Sequence, residues 1–287
     1  MITGATGGLG NQVLQFLVQK KEVESLSAIV RGDISRLDSF QKQGVKIIPA
    51  DYDDKESLLK AFEGIDKLYF ISGSDLALRE KQHENVIEAA KKAGIEHVVY
   101  TSFQRKNETN DSPIAMVADV HLKTEKWLRE SGLNYTILKH ALYTDGLPMF
   151  LGNVMETGMI YLPAGDGKVA FASRKDMAEA ASVILTTSGH EDKSYEISAP
   201  KSYSFHDVAE FLSDILGKQI TYVSPSVDEF KKTLANAGVP DHLVGLSVLF
   251  GEGIKQGEFD FPDSTLKNLL GREPETPSEF LRGMYLK

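Results

Sequence analysis

The chain has 287 residues, of which 41% are hydrophobic and 25% charged, which is typical of a globular protein with a full core. This length suffices for one large domain, or for a nucleotide-binding domain with a smaller lobe. The net charge of −9 disfavours nucleic acid and anionic membranes as partners, although a local basic pocket is compatible with it. The absence of cysteine excludes disulfides, thiolate nucleophiles and cysteine-ligated zinc.

No run of about 18 apolar residues occurs, so the sequence predicts no membrane-spanning helix. The N-terminus goes directly into Ile2-Thr3-Gly4, so we expect no signal peptide. These features lead us to expect a cytoplasmic protein.

Short β-branched runs alternate with longer helical patterns in the first half of the chain. The predicted strands are Met1–Thr3, Ser27–Val30, Val45–Ile48, Lys67–Ser72, His97–Ser102 and Tyr135–Leu138. The predicted helices are Asn11–Lys20, Lys55–Phe62, Leu76–Ala93, which stops at the C-cap residue Gly94, and Ala118–Ser131. This alternation predicts right-handed crossovers and an α/β fold with a doubly wound, Rossmann-like parallel sheet.

Glycine and proline interrupt the pattern after about residue 145. A helix at Asp176–Thr187 and a strand at Ser194–Ile197 are predicted to complete the sheet, and later helices at His206–Leu216 and Val227–Ala237. We therefore expect a nucleotide-binding domain of residues 1–145 with 174–198, capped by a smaller C-terminal lobe of residues 146–173 and 199–287.

Three glycines, Gly4, Gly7 and Gly10, stand between the first predicted strand and the first helix. In a nucleotide-binding loop one glycine makes a tight turn, one lets backbone approach a pyrophosphate, and one lets helix and strand pack closely. The phosphates then lie at the helix N-terminus, where N–H groups and the helix dipole favour an anion. The alternative is an ordinary glycine-rich turn.

Charged side chains follow the next two strands. Arg31 stands where an NAD-dependent enzyme would carry an acidic residue for the ribose 2′-hydroxyl, so it suits the 2′-phosphate of NADP(H), unless it is an ordinary surface arginine. Asp51 can accept from the adenine amino group or cap a helix. Ile71, Ser72 and Gly73 end the fourth strand, where small residues let backbone pass along a cofactor.

Several segments together resemble a known family. T-G-A-T-G-G-L-G, A-I-V-R, V-V-Y-T-S, H-L-K-T-E-K, Y-T-I-L-K-H-A-L-Y-T-D and G-H-E-D-K-S-Y-E-I are similar to segments of the NmrA-like atypical short-chain dehydrogenase/reductases. Within that group the resemblance points to bacterial NADPH-dependent quinone oxidoreductases and triphenylmethane reductases. It extends over nearly the whole chain.

The resemblance implies hydride transfer from NADPH to a quinone or a similar conjugated acceptor. It implies that Gly4, Ala5, Thr6, Gly7, Gly8 and Leu9 wrap the pyrophosphate, with Gly10 completing the loop, and that Arg31 binds the 2′-phosphate. It further implies that Ile71, Ser72 and Gly73 line the adenosine and ribose, and that Lys139, His140, Ala141, Leu142, Tyr143 and Thr144 line the nicotinamide.

The sequence departs from the family pattern at two places. The family segment matching Lys139-His140 often reads Arg-Asn, so two different side chains stand at the nicotinamide end here. The tyrosine and lysine of ordinary short-chain reductases would fall at Val117 and His121, and neither residue can perform their acid chemistry. The similar quinone reductases also lack that pair.

The missing acid bears on the acceptor. Reduction of a ketone needs a proton on the nascent alkoxide, whereas a quinone gives a delocalised anion that water can protonate. We therefore expect proximity and orientation of the two rings to carry the reaction. His140 is a candidate proton donor or a buried structural histidine. Tyr143 is a candidate catalytic residue that stacks on the acceptor or donates to it, or else an ordinary packing residue. Phe103 more readily suits core packing than a pocket wall.

A second class of function stays open. The NmrA-like group includes non-catalytic regulators that bind dinucleotide and act through a partner protein, and the fold does not decide between the two. A quinone-like small molecule is the expected partner, and a protein partner is expected only under the regulator hypothesis. His121 and Glu125 have metal-ligand spacing on a helix, but no third ligand is evident, so we expect no metal.

Overall fold

The computed structural model describes residues 1–20 and 22–286, so Lys21 and Lys287, the last residue of the predicted lobe, lie outside the described part. The chain forms two compact units. The first unit comprises residues 1–103, 119–140 and 174–195, and the second comprises 104–118, 141–173 and 196–287. The second unit thus takes in 104–118, 141–145 and 196–198, which were predicted to belong to the first domain.

Strands and helices alternate through the first half of the chain. The strands are β1 Ser27–Val30, β2 Lys46–Pro49, β3 Lys67–Phe70, β4 His97–Phe103, β5 Asn134–His140, β6 Met159–Tyr161, β7 Lys168–Val169, β8 Lys193–Ile197, β9 Tyr203–Ser204 and β10 Thr221–Val223. The helices are α1 Gly8–Leu17, α2 Asp38–Gln41, α3 Lys55–Ala61, α4 Arg79–Ala93, α5 Ala115–Glu130, α6 Pro148–Leu151, α7 Val154–Thr157, α8 Arg174–Thr186, α9 Phe205–Leu216, α10 Val227–Asn236, α11 Asp241–Lys255, α12 Thr265–Leu270 and α13 Pro277–Tyr285. None of these described helices has both the length and the apolarity required to cross a membrane.

A parallel sheet forms the centre of the first unit. β1 pairs with β2, and β3, β4, β5 and β8 follow one another in a second ladder. The predicted strand Met1–Thr3 is reduced to Ile2, which makes parallel bridges to Ala28 of β1 and Tyr69 of β3 and so joins the two ladders. The predicted doubly wound α/β fold is confirmed.

The core of the first unit explains the apolar strands. Leu68 and Phe70 of β3 are fully buried beside Val98 and Tyr100 of β4, and Val86 of α4 belongs to the same cluster. Since helices cover the sheet, its strands are apolar without alternation. The predicted end of α4 is also confirmed, because Gly94 caps it at φ +76°.

The second unit contains two small ladders and most of the short helices. β6 pairs in parallel with β10, and β7 pairs antiparallel with β9. Helices α9 and α10 begin at the capping boxes of Ser204 and Ser226. Helix α11 was not predicted, because it contains Gly245, Gly251 and Gly253, and glycine lowers helix propensity by about 1 kcal/mol per residue.

A buried carboxylate organises one part of the second unit. Glu258 is 3% exposed and accepts hydrogen bonds from the N–H groups of Lys106 and Asn107, at 3.0 and 2.8 Å. It also accepts from the Ser112 hydroxyl at 2.7 Å. The carboxylate therefore ties the segment 106–112 to the chain that follows α11.

We predict that Glu258→Ala lowers the free energy of unfolding by about 3 kcal/mol, because it leaves buried donors without their charged acceptor. Urea denaturation measures this change. Glu210→Ala, an exposed position on α9, is the matched control and should shift stability by no more than about 0.5 kcal/mol. Equal effects of the two substitutions would contradict the role assigned to Glu258.

Candidate functional site

The glycine loop is a tight turn on which the first helix rests. Gly4 has φ +59°, and its carbonyl accepts the N–H of Gly7 at 2.9 Å. A Cβ on Gly10 would lie 2.5 Å from the Gly4 oxygen and 2.8 Å from the Gly4 carbonyl carbon. Because such distances are closer than real Cβ contacts, the first turn of α1 can approach the loop only with glycine at position 10.

The N-terminus of α1 is suited to an anion. Gly7 is its N-cap, in an extended conformation, and no side chain of the described residues caps the helix. The first N–H groups of a helix have no intrahelical acceptor, and the helix dipole adds positive charge at this end. The turn thus presents backbone donors where a pyrophosphate would bind.

Three guanidinium groups belong to this region of a chain whose net charge is −9. Arg31 follows β1 and is exposed. Arg36 donates to the carbonyl of Thr6 at 3.3 Å. Arg174, the first residue of α8, passes over α1, since its Cδ is 3.5 Å from the position of a Cβ on Gly8. No sequence signal points to Arg36 or Arg174, because neither has a characteristic spacing from the glycines.

A cavity of about 530 Å³ opens at the carboxyl ends of the parallel strands. This is the edge at which doubly wound α/β proteins bind nucleotides. Its walls are Gly4, Thr6, Gly7, Ile29, Val30, Arg31, Ala50, Asp51, Tyr52, Ile71, Ser72, Gly73, Ser74, Asp75 and Gln82. The structure therefore brings together eight of the predicted site residues, namely Gly4, Thr6, Gly7, Arg31, Asp51, Ile71, Ser72 and Gly73. Ala5 and Leu9 are buried, and Gly8 and Gly10 also lie outside the residues that line this cavity.

Side chains hold the wall that continues β3. The N–H of Ile71 donates to the Thr3 hydroxyl at 2.9 Å, and the Tyr52 hydroxyl donates to the Ile71 carbonyl at 2.8 Å. The Tyr52 and Thr3 hydroxyls are also hydrogen-bonded to each other. Burial raises the pKa of Tyr52, so its phenol stays protonated. The N–H of Ser72 donates to the Thr101 hydroxyl at 2.9 Å.

The helix-cap alternative for Asp51 is wrong. Asp54 caps α3, accepting from the N–H groups of Glu56 at 3.0 Å and Ser57 at 3.1 Å. Asp51 instead accepts from the N–H of Asp53 at 3.1 Å in a local turn. Asp51 also lines the cavity.

Lys139 and His140 end β5, outside the residues that line this cavity. His140 is 1% exposed, and burial lowers its pKa to about 3. The imidazole is therefore uncharged near neutral pH, whereas a histidine that acts as the acid would have to be a protonated imidazolium. This burial argues against His140 as the acid of the reaction.

The residues that follow belong to the second unit. Ala141 and Leu142 are buried, and Tyr143 is half-buried and forms a parallel bridge with Ala172. The N–H of Thr144 donates to the carbonyl of Ala172 at 3.0 Å. Backbone pairing therefore orients this segment within the second unit.

His121 occupies a buried polar cluster. Its Nδ1 is 2.8 Å from the Tyr100 hydroxyl, and its ring stacks on Phe103 with centroids 5.9 Å apart. Glu125 accepts from the Ser102 hydroxyl at 2.5 Å and from Arg129 at 3.2 Å. Across residues 1–20 and 22–286 no group of three or more acidic or histidine side chains could hold a metal ion. The helical spacing of His121 and Glu125 reflects packing between α5 and β4.

Fold and site together define an α/β protein of the dinucleotide-binding type, with a glycine turn at a helix N-terminus and a cavity at the carboxyl edge of a parallel sheet. Residues 1–281 match the model of the NmrA-like family. The chain belongs to that family.

The similarity to individual relatives is spread over the full chain. Quinone oxidoreductase 2 of Escherichia coli strain K12 is 35% identical over 284 residues, covering 99% of this chain and 98% of the relative. The structure of the NADPH-dependent quinone oxidoreductase of E. coli in complex with NADPH matches with a TM-score of 0.92, covering 99% of each chain at 35% identity. The Citrobacter sp. triphenylmethane reductase complexed with NADP(H) matches with a TM-score of 0.90 over 98% of each chain, at 36% identity.

We predict that Gly10→Ala distorts the loop and weakens dinucleotide binding by about 1–3 kcal/mol, because the new Cβ meets backbone that cannot move aside. Gly245→Ala on α11 is the matched comparison, since a Cβ there meets nothing within 4 Å. Calorimetric titration with NADPH measures both variants. Similar losses in the two would show that the approach of Gly10 to Gly4 does not shape the binding loop.

Proposed function

We propose that this protein is an NADPH-dependent oxidoreductase that transfers hydride to a quinone or a similar conjugated acceptor. The observation that carries the proposal is that the glycine turn, Arg31 and the segment Ile71–Gly73 line the same cavity. The named activities of the E. coli and Citrobacter relatives support the same reaction class. As part of the proposal, the partner is a small molecule and the protein is cytoplasmic.

The residues of the first unit fit the adenosine and phosphate parts of NADPH. The turn from Gly4 to Leu9 and the first turn of α1 would hold the pyrophosphate, aided by Arg174. Arg31 would bind the 2′-phosphate, with Arg36 placing a second guanidinium beside Thr6. Asp51 would accept from the adenine amino group, and Ile71–Gly73 would line the ribose.

The nicotinamide end is carried over from the family resemblance. In this proposal Lys139 and His140 at the end of β5, with Ala141, Leu142, Tyr143 and Thr144, line the ring. NADPH, when bound, supplies the hydride. The chain would contribute orientation: the backbone pairing at Ala172 fixes the course of Tyr143, whose half-buried ring would lie against the acceptor.

The choice of acceptor follows from the side chains at the positions of the short-chain acid pair, Val117 and His121, and from the burial of His140. Val117 cannot donate a proton, and burial keeps His140 uncharged. His121 is held by Tyr100 and Phe103 within the core of the first unit. A quinone needs such an acid least, because its reduced anion is delocalised and water can protonate it.

Arg31→Ala should weaken NADPH binding by about 1.5–3 kcal/mol, the scale of a hydrogen bond between charged groups, and leave NADH binding nearly unchanged. Calorimetric titration with each dinucleotide gives the two dissociation constants. Lys42→Ala, an exposed cation in the same stretch of chain, controls for the loss of one positive charge and should alter neither constant. Equal losses of NADPH and NADH affinity in Arg31→Ala would refute the 2′-phosphate assignment.

NADPH oxidation should be fast with a benzoquinone or a naphthoquinone and slow with an aliphatic ketone at the same concentration. A positioned acid contributes about 10²–10⁴-fold to carbonyl reduction, and the ketone would lack it. Absorbance of NADPH follows each reaction.

Two results would overturn this assignment in different ways. Rapid turnover of the ketone would mean that another residue supplies the proton. Tight NADPH binding without turnover of any acceptor would instead favour a dinucleotide sensor.

A further inference from the structure

A buried histidine contacts the wall of the cavity from behind. His83 lies on α4 and is fully buried. The N–H of Gly73, which lines the cavity, donates to Nε2 of His83 at 3.0 Å. A Cβ on Gly73 would be 2.8 Å from Oε1 of Gln82, so α4 packs directly against this stretch of backbone.

The hydrogen bonds around His83 determine its tautomer. The hydroxyl of Thr124 donates its only proton to the Val120 carbonyl at 2.6 Å, because a carbonyl can only accept. The Thr124 oxygen must therefore accept from Nδ1 of His83, which is 2.8 Å away. Since Gly73 donates to Nε2, the imidazole is neutral and carries its proton on Nδ1.

The surroundings of His83 favour this single state. The rings of Phe70 and Tyr100 stand edge-on to the imidazole, with centroids 4.9 and 5.7 Å away. Burial, together with the positive charge of Arg79, lowers the pKa of His83 to about 3. An uncharged ring with one donor and one acceptor satisfies both of its neighbours.

Gly73 is the residue of this wall that most needs such support. The N–H groups of Ile71 and Ser72 are already bonded to the hydroxyls of Thr3 and Thr101. Glycine has more backbone freedom than any other residue, so the peptide between Ser72 and Gly73 can rotate unless its N–H is held. His83 is the side chain that holds it.

We propose that His83 is a positioning residue for the dinucleotide, fixing the Gly73 peptide and thereby the cavity wall Ile71–Gly73 in the binding conformation. This inference rests on the proposed function for the identity of the ligand. The wall faces the part of the cofactor that NADPH and NADH share. Loss of the His83 acceptor therefore weakens both dinucleotides by the same factor, and the effect falls on KM rather than on kcat.

Two substitutions separate the two ends of the imidazole. His83→Gln places an acceptor at the ε position and keeps a partner for Gly73, whereas His83→Asn keeps a donor toward Thr124 and loses the contact with Gly73. We expect His83→Asn to raise the dissociation constants of NADPH and NADH about tenfold each, and His83→Gln to raise them by no more than about threefold. His97→Asn and His97→Gln are matched controls, because His97 is also buried, at 2% exposure, and bonded to a threonine, Thr136, at 2.8 Å.

Calorimetric titration measures the dissociation constants without requiring turnover, and thermal unfolding shows which variants are folded. Equal weakening by His83→Asn, His83→Gln and the His97 variants would overturn the proposal and leave a general effect on stability. Unchanged affinity in a folded His83→Asn would also overturn it. Loss of NADPH affinity alone would assign the effect to the 2′-phosphate instead.

The tautomer provides a test that needs no ligand. Nitrogen-15 NMR of the histidine rings should show the His83 proton on Nδ1, with Nε2 unprotonated, from neutral to mildly acidic pH. A proton on Nε2 would overturn the arrangement. If the wild-type protein bound no dinucleotide, the proposed function would fail, while the NMR result would still decide whether His83 accepts from Gly73.

Discussion

The approach of α1 to the loop that precedes it is the contact on which the proposed cofactor site depends. Gly10 lies where a side chain would meet the carbonyl of Gly4, so helix and turn are in direct backbone contact. This contact sets the helix N-terminus at the edge of the sheet, beside the ends of β1 and β3. An anion there meets donors that are already oriented, which limits the ordering entropy lost on binding.

The cavity wall that follows β3 is held by side chains instead of by backbone contact. Past the last paired residue of this strand, hydroxyl groups and an imidazole take over as partners of the backbone N–H groups. Thr3, Thr101 and His83 come from three separate segments of the first unit, so the wall forms only when the unit has folded. Buried and neutral partners of this kind lose nothing to solvent screening and hold the segment in one conformation.

The site region combines charged arginines with buried, uncharged histidines. The chain is acidic as a whole, yet Arg31, Arg36 and Arg174 belong to the region of the glycine turn, where the phosphates of a dinucleotide would need compensation. The histidines, in contrast to these arginines, carry no positive charge near neutral pH at two buried positions, because burial lowers the pKa of His83 and His140. The proposed catalyst would therefore bind strongly charged groups without an imidazolium at His83 or His140. This combination suits an acceptor whose reduced form is stable without immediate protonation.

Much of this architecture was determined by the sequence alone. Apolar runs without alternation imply a sheet covered on both faces, and the spacing of Gly4, Gly7 and Gly10 implies a turn at a helix N-terminus; both follow from local rules of backbone geometry. Arg31 and Gly73 are predictable for a related reason, since the ends of parallel strands share one edge of the sheet. The helices and strands after residue 145 were harder to predict from the sequence, because capping boxes and glycine-containing helices such as α11 give weak periodic signals.

Only the tertiary structure decided which distant side chains support that edge. Arg174 is far from the glycine turn in sequence, and Thr124 is far from Gly73, so no local pattern connects them. Asp51 illustrates the same limit, because its residue type suits a helix cap equally well until the backbone shows that Asp54 occupies that position. Protonation is the final example: the sequence supplies histidines with an ordinary pKa near 6.5, and burial in the folded core makes His83 a neutral acceptor and His140 an uncharged ring. Local sequence rules set the backbone framework, whereas desolvation and long-range hydrogen bonds, which exist only after folding, set the chemistry of its side chains.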